Sequence, residues 1–251
     1  MISEFNQRLK SGETLFGTMV TLGSATVAEV LAQVGFDWLF VDCEHGPIET
    51  AELASILQTV QDRSAVLVRV PAIDETPIKK ALDLGAHGII VPQVNTAEQA
   101  TRVVEFTRYP PLGGRGIGLA RAQGYGAHFE EYITSANDSI CVVVQAEHVK
   151  AVDNIEAIVQ VEGLDAVLIG PYDLSASLGL TGQVDHPEVL EAIAHVTEAC
   201  EAASMPLGIF GTTADAVKPQ IEQGFTLIVA GIDLLLLSKS AAQLLAKLRG
   251  A

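Results

Sequence analysis

The sequence predicts a (β/α)8 barrel, read as one domain over residues 1–251. Three observations lead there. Eight short apolar runs recur, each followed by a segment with apolar residues at three- and four-residue spacing. The runs are continuous rather than alternating, as in parallel strands covered by helices. Eight strand–helix units in 251 residues fit the size of a closed barrel. An open doubly wound sheet is the rival architecture. It carries a glycine signature after its first strand, where "TLGSATVAE" offers one glycine.

The elements follow in order. "LFGTMVTL" (15–22) reads as the first strand and "ATVAEVLAQVG" as its helix. "WLFVD" (38–42) leads into "PIETAELASILQTVQ", and "AVLVRV" (65–70) into "TPIKKALDLGA". "GIIVPQ" (88–93) precedes "TAEQATRVVEFTR". "ICVVVQAE" (140–147) precedes "VKAVDNIEAIVQVEG". "AVLIGP" (166–171) opens the unit that contains "HPEVLEAIAHVTEACEAA". "PLGIF" (206–210) is paired with "ADAVKPQIEQG", and "TLIVAG" (226–231) with "LLLLSKSAAQLLAKLRG". Several helical segments end in glycine, which suits the left-handed residue that closes a helix. The long irregular stretch "RYPPLGGRGIGLARAQGYGAHF" (108–129) has its glycines after two prolines, without G-x-G-x-x-G spacing. It reads as a mobile loop over the barrel mouth.

Composition narrows the partners. A net charge of −16 argues against nucleic acid and anionic membranes. Cys43, Cys141 and Cys200 are odd in number and form no C-x-x-C, so neither a disulfide framework nor structural zinc is expected. The opening "MISEFNQRLKSGE" lacks an apolar signal core, and no uninterrupted apolar run reaches ~18 residues, which predicts a cytoplasmic protein.

In a barrel, chemistry sits at the C-terminal ends of the strands. Costly polar residues fall there repeatedly: Glu44 and His45 after the second strand, Arg69 in the third, Gln93 after the fourth, Gln145 and Glu147 on the fifth, Asp173 after the sixth. Each has a purely structural reading. His45 can be structural, Arg69 ion-paired, Glu147 placed by a helix dipole and Asp173 a helix cap. What those readings leave unexplained is the shared rim. As a site, Glu147 and Asp173 are hard oxygen ligands suited to Mg2+, Mn2+ or a similar divalent ion. "GPYD" opens a helix whose N–H groups can hold a carboxylate. Arg69 can stabilise an oxyanion and His45 can move a proton, with Asp83 of the adjoining unit orienting the imidazole. The set forms an enolate from a 2-oxo acid.

The stretches "FDWLFVDCEHGPIE", "VLVRVPAIDETPIKKALDLGAHGIIVPQVNTAEQA", "RYPPLGGRGIG", "QAEHVKAVDNIEAIVQVEGLDAVLIGPYDLSASLG" and "GIF" resemble the HpcH/HpaI family of class II metal-dependent aldolases, in the same order and over nearly the whole chain. The resemblance implies a barrel of the phosphoenolpyruvate/pyruvate-binding type. It also implies cleavage of a 4-hydroxy-2-oxo acid to pyruvate and an aldehyde, with Mg2+, Mn2+ or Co2+. By motif, Glu147 and Asp173 resemble the metal ligands, His45 the acid–base residue and Asp83 its orienting carboxylate. Arg69 resembles the group that steadies the enolate, Gln145 a pyruvate contact, and the backbone of Tyr172 and Asp173 the carboxylate cradle. No lysine ends a barrel strand where a Schiff base needs one. Tyr172 departs from the small residue often found before the metal aspartate, which bears on the choice of aldehyde. The resemblance further suggests a hexamer built from dimers, and the apolar "LIVAGIDLLLLSKSAAQLLAKL" a last helix exchanged between subunits. Two alternatives remain: a related lyase or synthase such as a citrate-forming enzyme, and a non-catalytic 2-oxo-acid binder, which needs no base.

Overall fold

In the computed structural model, residues 4–61 and 63–250 are described; the ends of the expected 1–251 domain and position 62 lie outside them. Eight parallel strands close into a barrel in sequence order. They are β1 (Leu15–Val20), β2 (Trp38–Asp42), β3 (Ala65–Arg69), β4 (Gly88–Val91), β5 (Cys141–Ala146), β6 (Ala166–Ile169), β7 (Leu207–Gly211) and β8 (Leu227–Ile232). The seam closes with Leu15 opposite Leu227 and Phe16 opposite Ile228. Every predicted strand is present, most of them trimmed by a residue or two.

Strand side chains alternate between two sides, and the barrel uses both. Leu39, Val41, Val66 and Val68 face outward into the layer covered by helices. Trp38, Phe40, Leu67, Val143, Leu168 and Val229 fill the interior. Gly17 makes room for the Trp38 indole: a Cβ there would stand 2.5 Å from its ring. Replacing interior Phe40 by alanine costs about 3–5 kcal/mol by lost burial and the cavity left behind.

The helices follow local rules. Helix α1 (Phe5–Lys10) precedes the barrel, and α2 (Ala25–Val34) starts at Ser24, whose side chain accepts from the Val27 N–H, and ends at left-handed Gly35. Helix α3 spans Thr50–Val60. Helix α4 (Glu75–Asp83) is capped by Asp74, and α5 (Ala97–Thr107) by Thr96. Such caps are each worth about 1 kcal/mol. Helix α6 (Phe129–Ser139) was not foreseen. The segment 149–163 is not one helix but two, α7 (Val149–Asp153) and α8 (Ile155–Ile158). They break at Asn154, whose side-chain amide donates to the Lys150 and Asn95 carbonyls. Helices α9 (Pro171–Ser177) and α10 (Pro187–Ala202) both begin with proline. Helix α11 shrinks to Lys218–Glu222, and α12 (Asp233–Arg249) follows β8.

The stretch 108–128 corrects an expectation. It does not cover the mouth. It leaves the C-terminus of α5, which has returned to the N-terminal end of the strands, and it is bound there. Arg108 donates to the carbonyl of Ile140, just before β5, and Arg121 to the carbonyls of Leu84 and Leu57 at the ends of α4 and α3. Arg115 is fully buried, with its guanidinium 4.6 Å from the Tyr109 ring.

Helix α12 stands away from the barrel. Leu234, Leu236, Leu237, Leu244, Leu245 and Leu248 are all exposed. No helix among the described residues is long and apolar enough to cross a membrane.

Candidate active site

The interior rows of the strands carry the site. In β2 the row runs Trp38, Phe40, Asp42; in β3 it runs Ala65, Leu67, Arg69; in β5 it runs Cys141, Val143, Gln145. Each begins as core and ends polar at the C-terminal mouth. Registry then pairs the polar ends, with Asp42 opposite Arg69.

Arg69 is the hub. Its Nε and Nη2 donate to Asp42 Oδ1 and Oδ2 at 2.9 and 2.7 Å. Nη1 donates to Gln145 Oε1 at 3.5 Å, and Glu44 Oε2 lies 3.2 Å from Nε. The guanidinium rests 5.2 Å from the Phe40 ring. Those bonds use one hydrogen on each terminal nitrogen, so Nη1 and Nη2 each retain a donor. Burial works against the Asp42 carboxylate, but the bonds from Arg69 outweigh it and hold that carboxyl below the usual range.

Glu147 is buried just past β5. Its Oε1 accepts from the Gln93 N–H at 2.8 Å and its Oε2 from Gln145 Nε2 at 2.9 Å. Burial pushes its carboxyl up to about 7, and the nearby charges of Asp173 and Glu44 push the same way. Asp173 sits in the first turn of α9. Pro171 at the head of that helix has no N–H, so Tyr172 and Asp173 offer its first free backbone donors. Gly170 precedes them: a Cβ there would stand 2.9 Å from Glu147 Oε2 and 3.5 Å from Gln145 Nε2. Only glycine keeps that space open.

His45 follows β2, its side chain 68 % exposed and its Nε2 3.8 Å from Glu44 Oε2. Its backbone N–H donates to Asp42 Oδ1 at 3.3 Å. Burial pushes the thiol of neighbouring Cys43 up to about 12. A cavity of about 360 Å³ is lined by His45, Arg69, Gln145, Tyr172 and Asp173, and by Asp42.

Asp83 is not in this group. It ends α4, at the N-terminal end of the strands, and accepts from Arg115 Nη2 at 2.7 Å. A strand of five residues separates the two ends of the barrel by roughly 16 Å. Within one chain, therefore, Asp83 does not orient His45. Its place on the neighbouring βα unit was legible, but the helix carries it to the far end.

The sequence profile of the family described as HpcH/HpaI aldolase/citrate lyase matches residues 15–240. The chain is 42% identical over 249 residues to a 4-hydroxy-2-oxovalerate aldolase of Rhodococcus jostii, covering 98% of this chain and 96% of that one. The chain belongs to the HpcH/HpaI aldolase/citrate lyase family. It is also 40% identical to a 2-keto-3-deoxy-L-rhamnonate aldolase of Escherichia coli K12, over 96% of this chain and 91% of that one. Among solved structures, a family protein from Burkholderia cenocepacia superposes with a TM-score of 0.95 at 36% identity, covering 98% of this chain and 99% of that one.

The residues fit the divalent ion expected of such an HpcH/HpaI protein. The donors are hard carboxylate oxygens, and burial, with the charges of Asp173 and Glu44 beside it, raises the Glu147 carboxyl. Glycine at 170 leaves the space above Glu147 open. Two carboxylates do not make a closed protein cage: no cluster of three or more ligating side chains occurs among the described residues. That matches an ion completed by water and substrate. What sequence reasoning missed is the apolar part of the wall, Met19, Phe210 and Ile232. Each lies at or near the C-terminal end of a strand, but that position was scanned for polar residues, against which an apolar side chain does not stand out.

Proposed function

We propose that the protein is a divalent-metal-dependent pyruvate aldolase, cleaving a 4-hydroxy-2-oxo acid to pyruvate and an aldehyde and running the reverse condensation. The carrying observation is that Arg69, Gln145, Glu147, Asp173 and His45, from four different strand ends, meet at one mouth. Glu147 and Asp173 would hold Mg2+, Mn2+ or Co2+, which supplies Lewis-acid polarisation of the 2-oxo group. The N–H groups of Tyr172 and Asp173 receive the substrate carboxylate, and Gln145 fixes the three-carbon end. Arg69 donates its remaining hydrogens to the oxygen that becomes negative. His45 takes the proton of the 4-hydroxyl, the C3–C4 bond breaks, and a proton returned to C3 yields the methyl group of pyruvate. A binding protein has no use for a base poised beside such an arginine.

The same reading makes the protein a cytoplasmic homo-oligomer, a hexamer built from dimers. The apolar face of α12, which its own barrel leaves bare, supports that assembly and the exchange of this helix between copies. In that assembly the expected role of Asp83 would be to orient His45 of a neighbouring copy, since within one chain it stands at the opposite end of the barrel. Pyruvate release from a panel of 4-hydroxy-2-oxo acids, with and without added divalent ion, tests the activity. No release from any member of the panel with metal present overturns it.

A further inference from the structure

The mouth of the barrel is divided in two. The polar groups described above come from β2, β3, β5 and the turn after β6. The remaining arc, β7, β8 and β1, brings Phe210, Ile232 and Met19 to the same cavity. Tyr172 closes that side with its ring 6.2 Å from Phe210. Its side chain is therefore part of the cavity wall and not of the core, being 41% exposed. Since the three-carbon end of the substrate is held by the polar arc, the aldehyde end must lie along the apolar one.

That arc has no charge to offer. Among the residues lining the cavity the one permanent cation is Arg69, already engaged by Asp42, Glu44 and Gln145, and His45 belongs to the polar arc. Asp233, at the seam of β8 and β1, is buried and accepts from Thr21 N, Thr21 Oγ1 and the N–H groups of Leu22 and Leu234. Thr21 is thereby committed too, which leaves the hydroxyls of Thr212 and Tyr172 as the neutral side-chain partners on that side. An anionic tail placed here would lose its water with no cation in return, and a polyol would lose most of its hydrogen bonds.

Resting on the pyruvate-aldolase reading, we propose that the aldehyde half of the substrate is uncharged and apolar, an alkyl or aryl aldehyde rather than a sugar-derived or acidic one. The test is the condensation of pyruvate with butanal, benzaldehyde, glyceraldehyde and succinic semialdehyde by the metal-loaded wild-type protein. Alongside it, exchange of pyruvate methyl protons in D2O is followed as a measure of the pyruvate half-reaction alone. The expected kcat/KM for butanal or benzaldehyde exceeds that for the other two by at least ~tenfold. Tyr172→Arg, which brings a cation to the apolar arc, should raise succinic semialdehyde over butanal by ~tenfold relative to wild type. Proton exchange with equal or better use of glyceraldehyde or succinic semialdehyde overturns the aldehyde assignment and leaves the aldolase standing. Absence of exchange in the wild type overturns the aldolase reading, and the aldehyde assignment falls with it.

Discussion

Asp42 grips Arg69 with both carboxylate oxygens, at 2.9 and 2.7 Å, across the last register pair of β2 and β3. A single guanidinium is thus fixed in plane at the floor of the mouth, with its remaining hydrogens turned to the cavity. Strand pairing does this positioning, because the two residues occupy the same interior row one layer above Phe40 and Leu67. Removing Asp42 leaves a buried cation with half its partners. Asp42→Ala should lower unfolding free energy by about 3–5 kcal/mol, measured by urea denaturation. A change below ~1 kcal/mol would show that solvent or Glu44 replaces the pair.

Arg69→Lys keeps the charge and loses the planar fork. A lysine cannot hold Asp42 bidentately and reach a substrate oxygen as well. The rate of pyruvate formation should fall on the order of a hundredfold. An unchanged kcat removes Arg69 from the reaction.

Glu147→Ala and Asp173→Ala should each abolish Mn2+ binding by calorimetry while the circular dichroism of the barrel stays native. Glu147 also anchors the Gln93 N–H and Gln145 Nε2, so its alanine variant should melt lower than that of Asp173, which is more exposed. Wild-type Mn2+ affinity in either variant excludes that residue as a ligand.

The raised Glu147 carboxyl sets a pH dependence. Burial, with Asp173 and Glu44, lifts it to about 7. An unfolded chain releases that proton near the ordinary glutamate value, so the folded metal-free protein binds it more tightly. The stability this contributes is complete below the ordinary value and is lost as pH rises through about 7. A cation competes with the same proton, so Mn2+ affinity should climb with pH and level off above about 7. Affinity that stays flat between roughly pH 5.5 and 8 contradicts this account.

Gly170→Ala places a methyl 2.9 Å from Glu147 Oε2. The fold should survive, with overpacking costing roughly 1–3 kcal/mol. Metal-dependent activity should drop more steeply than stability. Retained Mn2+ affinity and full turnover in this variant would show that the space above Glu147 is not used.

The barrel was legible because its strands are buried on both sides. Such runs are apolar at all but one position, as "AVLVR" and "CVVVQA" are, and they stand out from helices of mixed polarity. The polar rim was legible for the same reason: Arg69 and Gln145 interrupt those runs where a core residue is otherwise expected. What the sequence conceals is which end of the barrel a residue on a returning segment reaches. Asp83 and the glycines of 108–128 belong to units beside the site, yet α4 and α5 carry them to the opposite end. Phe210, Ile232 and Met19 escaped notice because apolar residues on apolar strands carry no contrast. The split at Asn154 rests on a side-chain bond to Asn95, 59 residues away, beyond any local pattern.

The central claim is that Glu147 and Asp173 with a divalent ion, and His45 with Arg69, make and quench a pyruvate enolate at this mouth. Its most direct test is the loss of the pyruvate methyl signal in D2O by proton NMR. The account predicts rapid exchange with Mg2+ or Mn2+, none after chelation, and recovery when the ion is restored. Exchange that persists at the same rate in chelator, or fails to occur with any divalent ion, contradicts it.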